Sequence, residues 1–399
     1  MLVNKRQTPC ILVSFFIGLV FFTILNISKE HINLDSISKH FSSVTLAKTE
    51  PKGSMASKAR KAFKKKVYID DEFEYSKITY ANTKLVNSET DKSMLIVSSI
   101  GSKDSYGKDK AFEDLMNTIG LIDYEANSIS LGFLVGEKEE FGKVETFLDN
   151  YFNNLAKTDA NNKKSLAQYV NKVTLLTAPF IDKAFQSIDR NDRHNDNLQR
   201  LRRRSIARSR NFLLLHSLQN EKYTLFIDSD IVKIHHPHMI KTFIASGKDI
   251  IVPRIIRGDL QDYDKNSWVG ERTVPSPEQY KKLDLNDWDN WDYVPRDVDD
   301  KMMHFDKFIE KHKDDPMTHP ANRPDYLMKL DSVGGAILFL KSVIYKQGVV
   351  FPPNYIIGTT WGRLEGYDGI ETEGLCYIAK SLGYGCFGMP NMVAEHSAE

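Results

Sequence analysis

Residues Cys10 to Ile27 read CILVSFFIGLVFFTILNI, 18 positions without a charge. A bilayer span needs about 17–25 such residues. Lys5 and Arg6 precede the run, the next charge is Lys29, and no small-residue cleavage pattern follows. The pattern predicts an uncleaved anchor over 10–27, with a cytosolic tail at 1–9 and the bulk of the chain on the lumenal side. Residues 28–91 are polar, rich in Lys and Ser, and without a sustained apolar period, so they read as a stem. The basic run Lys58, Arg60, Lys61, Lys64, Lys65, Lys66 within them reads as a solvated linker face.

From residue 92 the pattern changes. Short apolar runs at Met94–Val97, Ile129–Val135, Val173–Leu176, Leu225–Ile227 and Ile250–Val252 predict buried strands. Helical spacing fills Lys108–Ile119, Glu137–Leu155 and Leu198–Leu218 between them. The alternation predicts one α/β domain over 92–399, a mostly parallel twisted sheet flanked by helices. Ligands of such sheets sit beyond the carboxyl ends of the strands, which singles out Ser98, Ser99, Gly136 and above all Asp228.

A formal net charge of +1 and a pI near 7.7 exclude the basic face of a nucleic-acid binder. Three cysteines exclude a disulfide-built scaffold. Cys376 and Cys386 could form a bridge in an oxidising compartment or remain two buried thiols.

The strand Tyr223–Ile227 runs into Asp228-Ser229-Asp230. Alternate side chains of an extended chain share a face, so both carboxylates can address one hard cation, Mn2+ or Mg2+. Such an ion would bridge the phosphates of a nucleotide sugar and neutralise its leaving diphosphate. A strand followed by D-x-D also opens phosphohydrolases with an aspartyl nucleophile, with Asp299-Asp300 as the second acidic pair. Against that, the motif here comes after more than a hundred residues of α/β pattern. On the preceding helix, Arg208 and Asn211 are candidate phosphate-side residues. Asp331 stands before Gly334-Gly335, a pair that permits close backbone approach to a ligand. Glu371 and Glu373 open a helix after a glycine-rich loop and suggest an active-site rim, Glu373 as a second catalytic carboxylate and Glu371 on the acceptor side. The polar, aromatic stretch between Pro253 and Met328 reads as an acceptor-binding insertion, with Trp268 as its stacking residue. His396 closes the last apolar run and could give nitrogen to the ion at Asp230.

These pieces occur in the order I-A-R-S-R-N, F-I-D-S-D-I-V, Y-D-K-N-S-W, L-D-S-V-G-G, I-E-T-E-G and G-M-P-N-M-V-A-E-H. Over roughly residues 93–397 the chain resembles the fungal Golgi α-mannosyltransferases that form mannan polymerase complexes (glycosyltransferase family 62). The resemblance implies a GT-A fold, GDP-mannose as donor, Mn2+, and retaining transfer to mannan or N-glycan acceptors. It further implies residence in the Golgi membrane and a hetero-oligomer with related transferases. By resemblance Asp228, Asp230 and His396 become the metal set, and Asp331 the carboxylate nearest the reacting sugar. Ser98, Leu131, Gly132, Arg208, Asn211 and Gly335 would lie in the donor pocket. The segment Ile357 to Gly369 departs from the family pattern by its length, on the acceptor side. A non-catalytic scaffold subunit is the alternative role within the same family.

Overall fold

Eleven strands form a single sheet, and its carboxyl-end crevice holds the residues of interest. The computed structural model describes residues 63–82, 92–124, 128–155, 170–181, 196–285, 287, 291, 293–319, 322–354 and 369–398, all within one unit, Arg60–Glu399. The predicted tail and anchor, most of the predicted stem, and the loop 357–368 lie outside these residues. Among the described residues no helix is long and apolar enough to cross a membrane.

In chain order the elements are β1 (Phe63–Asp70), β2 (Tyr75–Asn82), β3 (Met94–Ile100), α1 (Phe112–Gly120), β4 (Ile129–Val135), α2 (Lys138–Leu155) and β5 (Lys172–Thr177). There follow α3 (Asp196–Ser217), β6 (Tyr223–Ile227), β7 (Ile231–Ile234), α4 (Met239–Ala245), β8 (Ile250–Ile256), β9 (Trp268–Val269), α5 (Pro277–Asp284) and β10 (Met303–His304). The remainder is α6 (Phe305–Lys311), β11 (Met328–Leu330), β12 (Ile337–Lys341), α7 (Ser342–Lys346), α8 (Thr372–Ser381) and β13 (Cys386–His396).

The central strands are apolar on both faces because both faces are covered. Met94, Ile96 and Ile100 of β3 pack with Phe112 and Leu115 of α1, Val144 and Leu148 of α2, and Phe243 of α4. Leu95 and Val97 face the other way, onto Ala207, Leu213 and Leu214 of α3 and Leu375 and Ala379 of α8.

The sheet order is β1-β2-β5-β4-β3-β6-β12-β8-β13-β11, with β7 added against β13. The block β5-β4-β3-β6 is parallel, as expected. The second half is not. β12 lies antiparallel between β6 and β8, and β7 and β11 run antiparallel to β13, which is itself parallel to β8. The sheet is therefore mixed rather than mostly parallel. Strands buried on both faces give the same apolar run in either direction, so periodicity carries no information on this point.

A second correction concerns the stem. Residues 63–82, expected to be linker, form the hairpin β1–β2, and β2 pairs antiparallel with β5. The folded unit thus includes Phe63. The strand was hidden because β1 carries three consecutive lysines and stays exposed from Lys64 to Ile69.

Cys376 in α8 and Cys386 at the start of β13 are joined by a disulfide, which resolves the alternative left open by sequence. The bridge closes a short loop, 10 residues in separation. Replacing both cysteines by serine is expected to lower stability by about 3 kcal/mol on chain-entropy grounds. Denaturant unfolding of the variant beside the wild-type chain measures it.

Candidate active site

The end of β6 meets the start of β12. The Asp228 N–H donates to the Ala336 carbonyl at 2.8 Å, and the register continues as Ile227 opposite Ile337. Asp228 therefore faces the turn that carries Gly334 and Gly335. The pairing of β7 with β13 brings His396 opposite Ile231. His396 Nε2 then lies 2.9 Å from Asp230 Oδ2. The Ser397 N–H donates to the Asp230 carbonyl at 2.8 Å, and the His396 ring stacks obliquely on Tyr263 at 4.5 Å.

The organising cation is Arg210, not Arg208. Along α3 the buried face takes Ala207, Arg210, Leu213 and Leu214, spacing of three and four residues, which puts Arg210 on the core side. Arg208 is exposed. The Arg210 guanidinium lies 5.5 Å from the ring centres of both Phe226 and Phe351. Its Nη2 donates to Gly335 O at 3.0 Å and Asp228 Oδ1 at 3.2 Å, and its Nη1 meets Glu371 Oε1 at 3.2 Å. A Cβ on Gly335 would stand 2.4 Å from that guanidinium, and one on Gly334 would stand 2.0 Å from the Asp264 carboxylate. The glycine pair thus admits a close approach, of protein side chains. Gly335→Ala is expected to displace Arg210 and destabilise the fold by about 1–3 kcal/mol through overpacking, a change readable by thermal unfolding.

Asn211, expected in the donor pocket, is engaged with backbone. Its amide clamps the backbone of Phe351, with Nδ2 donating to Phe351 O at 2.7 Å and Oδ1 accepting from Phe351 N at 3.0 Å. It thereby fixes one of the two rings bracketing Arg210.

Asp264, in the Y-D-K-N-S-W segment, belongs to the cluster although sequence reasoning passed over it. Its Oδ2 accepts from Gly335 N at 2.8 Å and Ala336 N at 3.1 Å, while Ser267 Oγ accepts from Gly334 N at 2.9 Å. The signal available was its place in the ordered motif set. Asp331 lies on the same turn as Gly334. Its Oδ2 accepts from Gly270 N at 3.1 Å, and its own N–H donates to Trp268 O at 3.0 Å.

Four expectations are corrected in detail. Glu373 is 1% exposed and bridges two arginines, Arg203 at 3.2 Å and Arg272 at 2.8 Å. It is a structural anion rather than a free catalytic carboxylate. Trp268 is also 1% exposed, packed with Met302 and under the Arg272 guanidinium at 5.0 Å, so it offers no stacking surface. Leu131 is a core residue in the middle of β4. Gly132, beside it, lets α3 close onto the sheet, where a Cβ would meet Ser217 Oγ at 2.8 Å. Ser98, two residues before the end of β3, is buried with its hydroxyl unpartnered among the described residues. Glu371 does reach the cluster, through Arg210, and holds a strained backbone at φ 60° as it enters α8. Strain of this kind gathers at functional sites.

Asp228 is crowded by carboxylates. Burial pushes its carboxyl up to about 7, Arg210 opposes the shift, and Asp230, Asp264 and Glu371 add to it. Its side chain is still 43% exposed, so the like-charge cluster acts on it beside partial dehydration. Burial alone would lower the His396 pKa, but the hydrogen bond and charge of Asp230 outweigh it and raise it. Four carboxylates around Arg210 and the His396–Asp230 contact leave the crevice rich in oxygen donors and short of positive charge. Hard oxygen donors with that imbalance fit a divalent cation. Among the described residues no three His, Cys, Asp or Glu side chains already converge as a ligand set. Asp228 is engaged with Arg210 and Asp230 with His396, contacts a cation would have to exchange.

The fold and crevice define an α/β protein with an acidic site at the carboxyl end of a mixed sheet. The chain belongs to the Anp1 family, whose model matches residues 72–355. It is 29% identical over 282 residues to the mannan polymerase complex subunit mnn9 of Schizosaccharomyces pombe, covering 70% of this chain and 74% of that protein. It is 26% identical over 300 residues to the mannan polymerase complex subunit MNN9 of Candida albicans, covering 73% of each. To the VAN1 subunit of the mannan polymerase I complex of Saccharomyces cerevisiae it is 27% identical over 215 residues, 52% of this chain and 36% of that one. Among solved structures, a mannosyltransferase of Pyrobaculum calidifontis in complex with GDP-Man and Mn2+ is similar at 9% identity and a TM-score of 0.38, over 76% of this chain and 56% of that one. At that distance it supports no inference.

Proposed function

We propose that the chain is a metal-dependent, retaining α-mannosyltransferase of GT-A type that transfers mannose from GDP-mannose to mannan or N-glycan acceptors. The observation that carries this reading is the acidic crevice at the end of β6, where Asp230, Asp264 and Glu371 crowd Asp228 and Arg210 pairs with Asp228 and Glu371, in a chain of the Anp1 family. Its relatives are subunits of mannan polymerase complexes, which supports a place in a hetero-oligomer. The uncharged apolar run of residues 10–27 supports reading the chain as a single-pass Golgi-membrane protein with a lumenal domain, and the disulfide suits an oxidising lumen.

Asp228, Asp230 and His396 would hold the metal, with Asp264 beside them. A bound Mn2+ or Mg2+ supplies charge neutralisation for the departing diphosphate. The chain's own residues do the rest. Arg210 holds Asp228 and Glu371 apart from one another's charge and fixes the Gly335 carbonyl. Asp264 fixes the amides of Gly335 and Ala336, so the turn carrying Asp331 has one geometry. Among the described residues Asp331 Oδ1 has no hydrogen-bond partner, while Oδ2 accepts from Gly270 N. That carboxylate would stabilise the oxocarbenium-like centre while an acceptor hydroxyl attacks from the face the leaving group vacates. The phosphohydrolase reading loses ground because β6 is the sixth strand of its unit, not the first.

Calorimetric titration of the full chain in detergent with GDP and GDP-mannose, with and without Mn2+, tests the proposal. Metal-dependent binding that disappears in Asp230→Ala is expected. A folded chain that binds neither nucleotide would overturn the donor assignment and leave the scaffold role.

A further inference from the structure

The strand at the outer end of the sheet carries an unusual charge order. Among the described residues β1 pairs only with β2, so within them one row of its backbone donors and acceptors faces outward. Val67, Tyr68 and Ile69 are 57%, 49% and 62% exposed. The stretch Lys64-Lys65-Lys66-Val67-Tyr68-Ile69-Asp70-Asp71-Glu72 is three cations, three apolar residues and three anions. Lys65 is already paired with Glu145 and Asp149 of α2. Lys64, Lys66, Asp71 and Glu72 have no ion-pair partner among the described residues.

We propose that β1 is a self-complementary edge on which a second copy of this chain adds antiparallel, about a two-fold axis through Tyr68. In that register Lys66 stands opposite Asp70, Lys64 opposite Glu72, Val67 opposite Ile69, and Tyr68 opposite its own copy. Residues 64, 66, 68 and 70 share one face of the extended strand, so the Lys66–Asp70 pairs and the tyrosine pair form one ladder. Glu72 lies in the turn just past the strand, so the outermost pair extends the ladder by one step. Lysines on an edge ordinarily prevent pairing. A parallel copy, or an antiparallel copy slipped toward the amino end, would set Lys against Lys. The register about Tyr68 turns the same charges into attraction. A neutral strand from another protein would leave them unanswered. The contact is isologous, so it closes as a dimer and does not propagate into fibres. It is independent of the transferase reading and stands on a different edge from the β6 crevice.

The test uses the full chain in detergent, in a Cys10→Ser background. Cross-strand Cα atoms at such a position lie about 4.5–5.5 Å apart, within disulfide reach. Tyr68→Cys should form a covalent dimer on mild oxidation, and Met317→Cys, an exposed control, should not. Lys64→Glu alone or Glu72→Lys alone should weaken self-association about tenfold in sedimentation velocity. An equimolar mixture of the two should restore it, because every opposed pair is then unlike in sign. Wild-type chain that stays monomeric, or single reversals that associate as wild type does, would overturn the proposal. So would a strand that pairs only with a different protein. Binding of anionic vesicles that Lys64→Glu abolishes, with no rescue by mixing, would make the strand a lipid contact and equally overturn it.

Discussion

Asp228→Asn should abolish sugar transfer while making the metal-free protein more stable. The side chain keeps its shape and its bond with Arg210 can be kept through the amide oxygen, so folding loses little. What disappears is one of four crowded negative charges. The sign follows from the raised pKa. The ordinary value is 3.8 and the folded value about 7, so the folded state holds this proton more tightly than the unfolded one. Stability from this group is full below about pH 4 and is lost as pH rises through about 7. The variant has no such loss. Its advantage in melting temperature should therefore grow between those limits and level off above them. Added Mn2+ should narrow the gap by binding wild-type protein preferentially. Thermal melts across pH with EDTA, beside a transfer assay, give both readings. Full turnover, or a lower metal-free melting temperature at pH 8, would remove Asp228 from its proposed role.

The opposite substitution has the opposite outcome. Arg210→Met keeps a long apolar stem between Phe226 and Phe351 but removes the cation. Glu371, whose side chain is 7% exposed, would lose its counter-charge, and Asp228 and Gly335 O would lose a donor. Breaking a buried pair on one side costs about 3–5 kcal/mol. A second substitution, Glu371→Gln, should return part of that loss, because the uncompensated charge is gone. The coupling is read from a double-mutant cycle in urea. Additive effects of the two changes would show that Arg210 and Glu371 do not interact as described.

Much of this site could be read along the chain, and the failures have physical causes. Asp228 and Asp230 declared themselves because a buried strand gives an apolar run and its end is a fixed place in the fold. The pairing of His396 with Asp230 needed the ordered motifs, since a histidine 166 residues from Asp230 has no local signal. The spacing of Ala207, Leu213 and Leu214 assigns the inner face of α3 and with it Arg210, not Arg208. A buried arginine reads as polar and so interrupts the apolar stripe that marks this face. Glu373 and Trp268 were misjudged for a common reason. Sequence shows chemical type but not accessibility, and both are sealed by Arg272, whose partners lie in distant elements. Leu131 and Gly132 were expected in the donor pocket by resemblance, and their packing role emerges only from the approach of α3 to the sheet. β1 failed as a strand because an edge needs no apolar face.

The position of β13 has a consequence for how the protein is made. The strand pairs with β8, β7 and β11, yet Cys386 is 136 residues beyond Ile250, its partner in β8. During synthesis β8 is finished long before the neighbour that completes it. Half of the sheet must wait, with apolar strands unprotected, until the C-terminal segment arrives. Contacts so distant in sequence slow folding and lengthen exposure to aggregation. The acidic crevice, which needs His396, is accordingly among the last parts of the molecule to be assembled, and maturation of the chain should depend on chaperones that hold the incomplete sheet open.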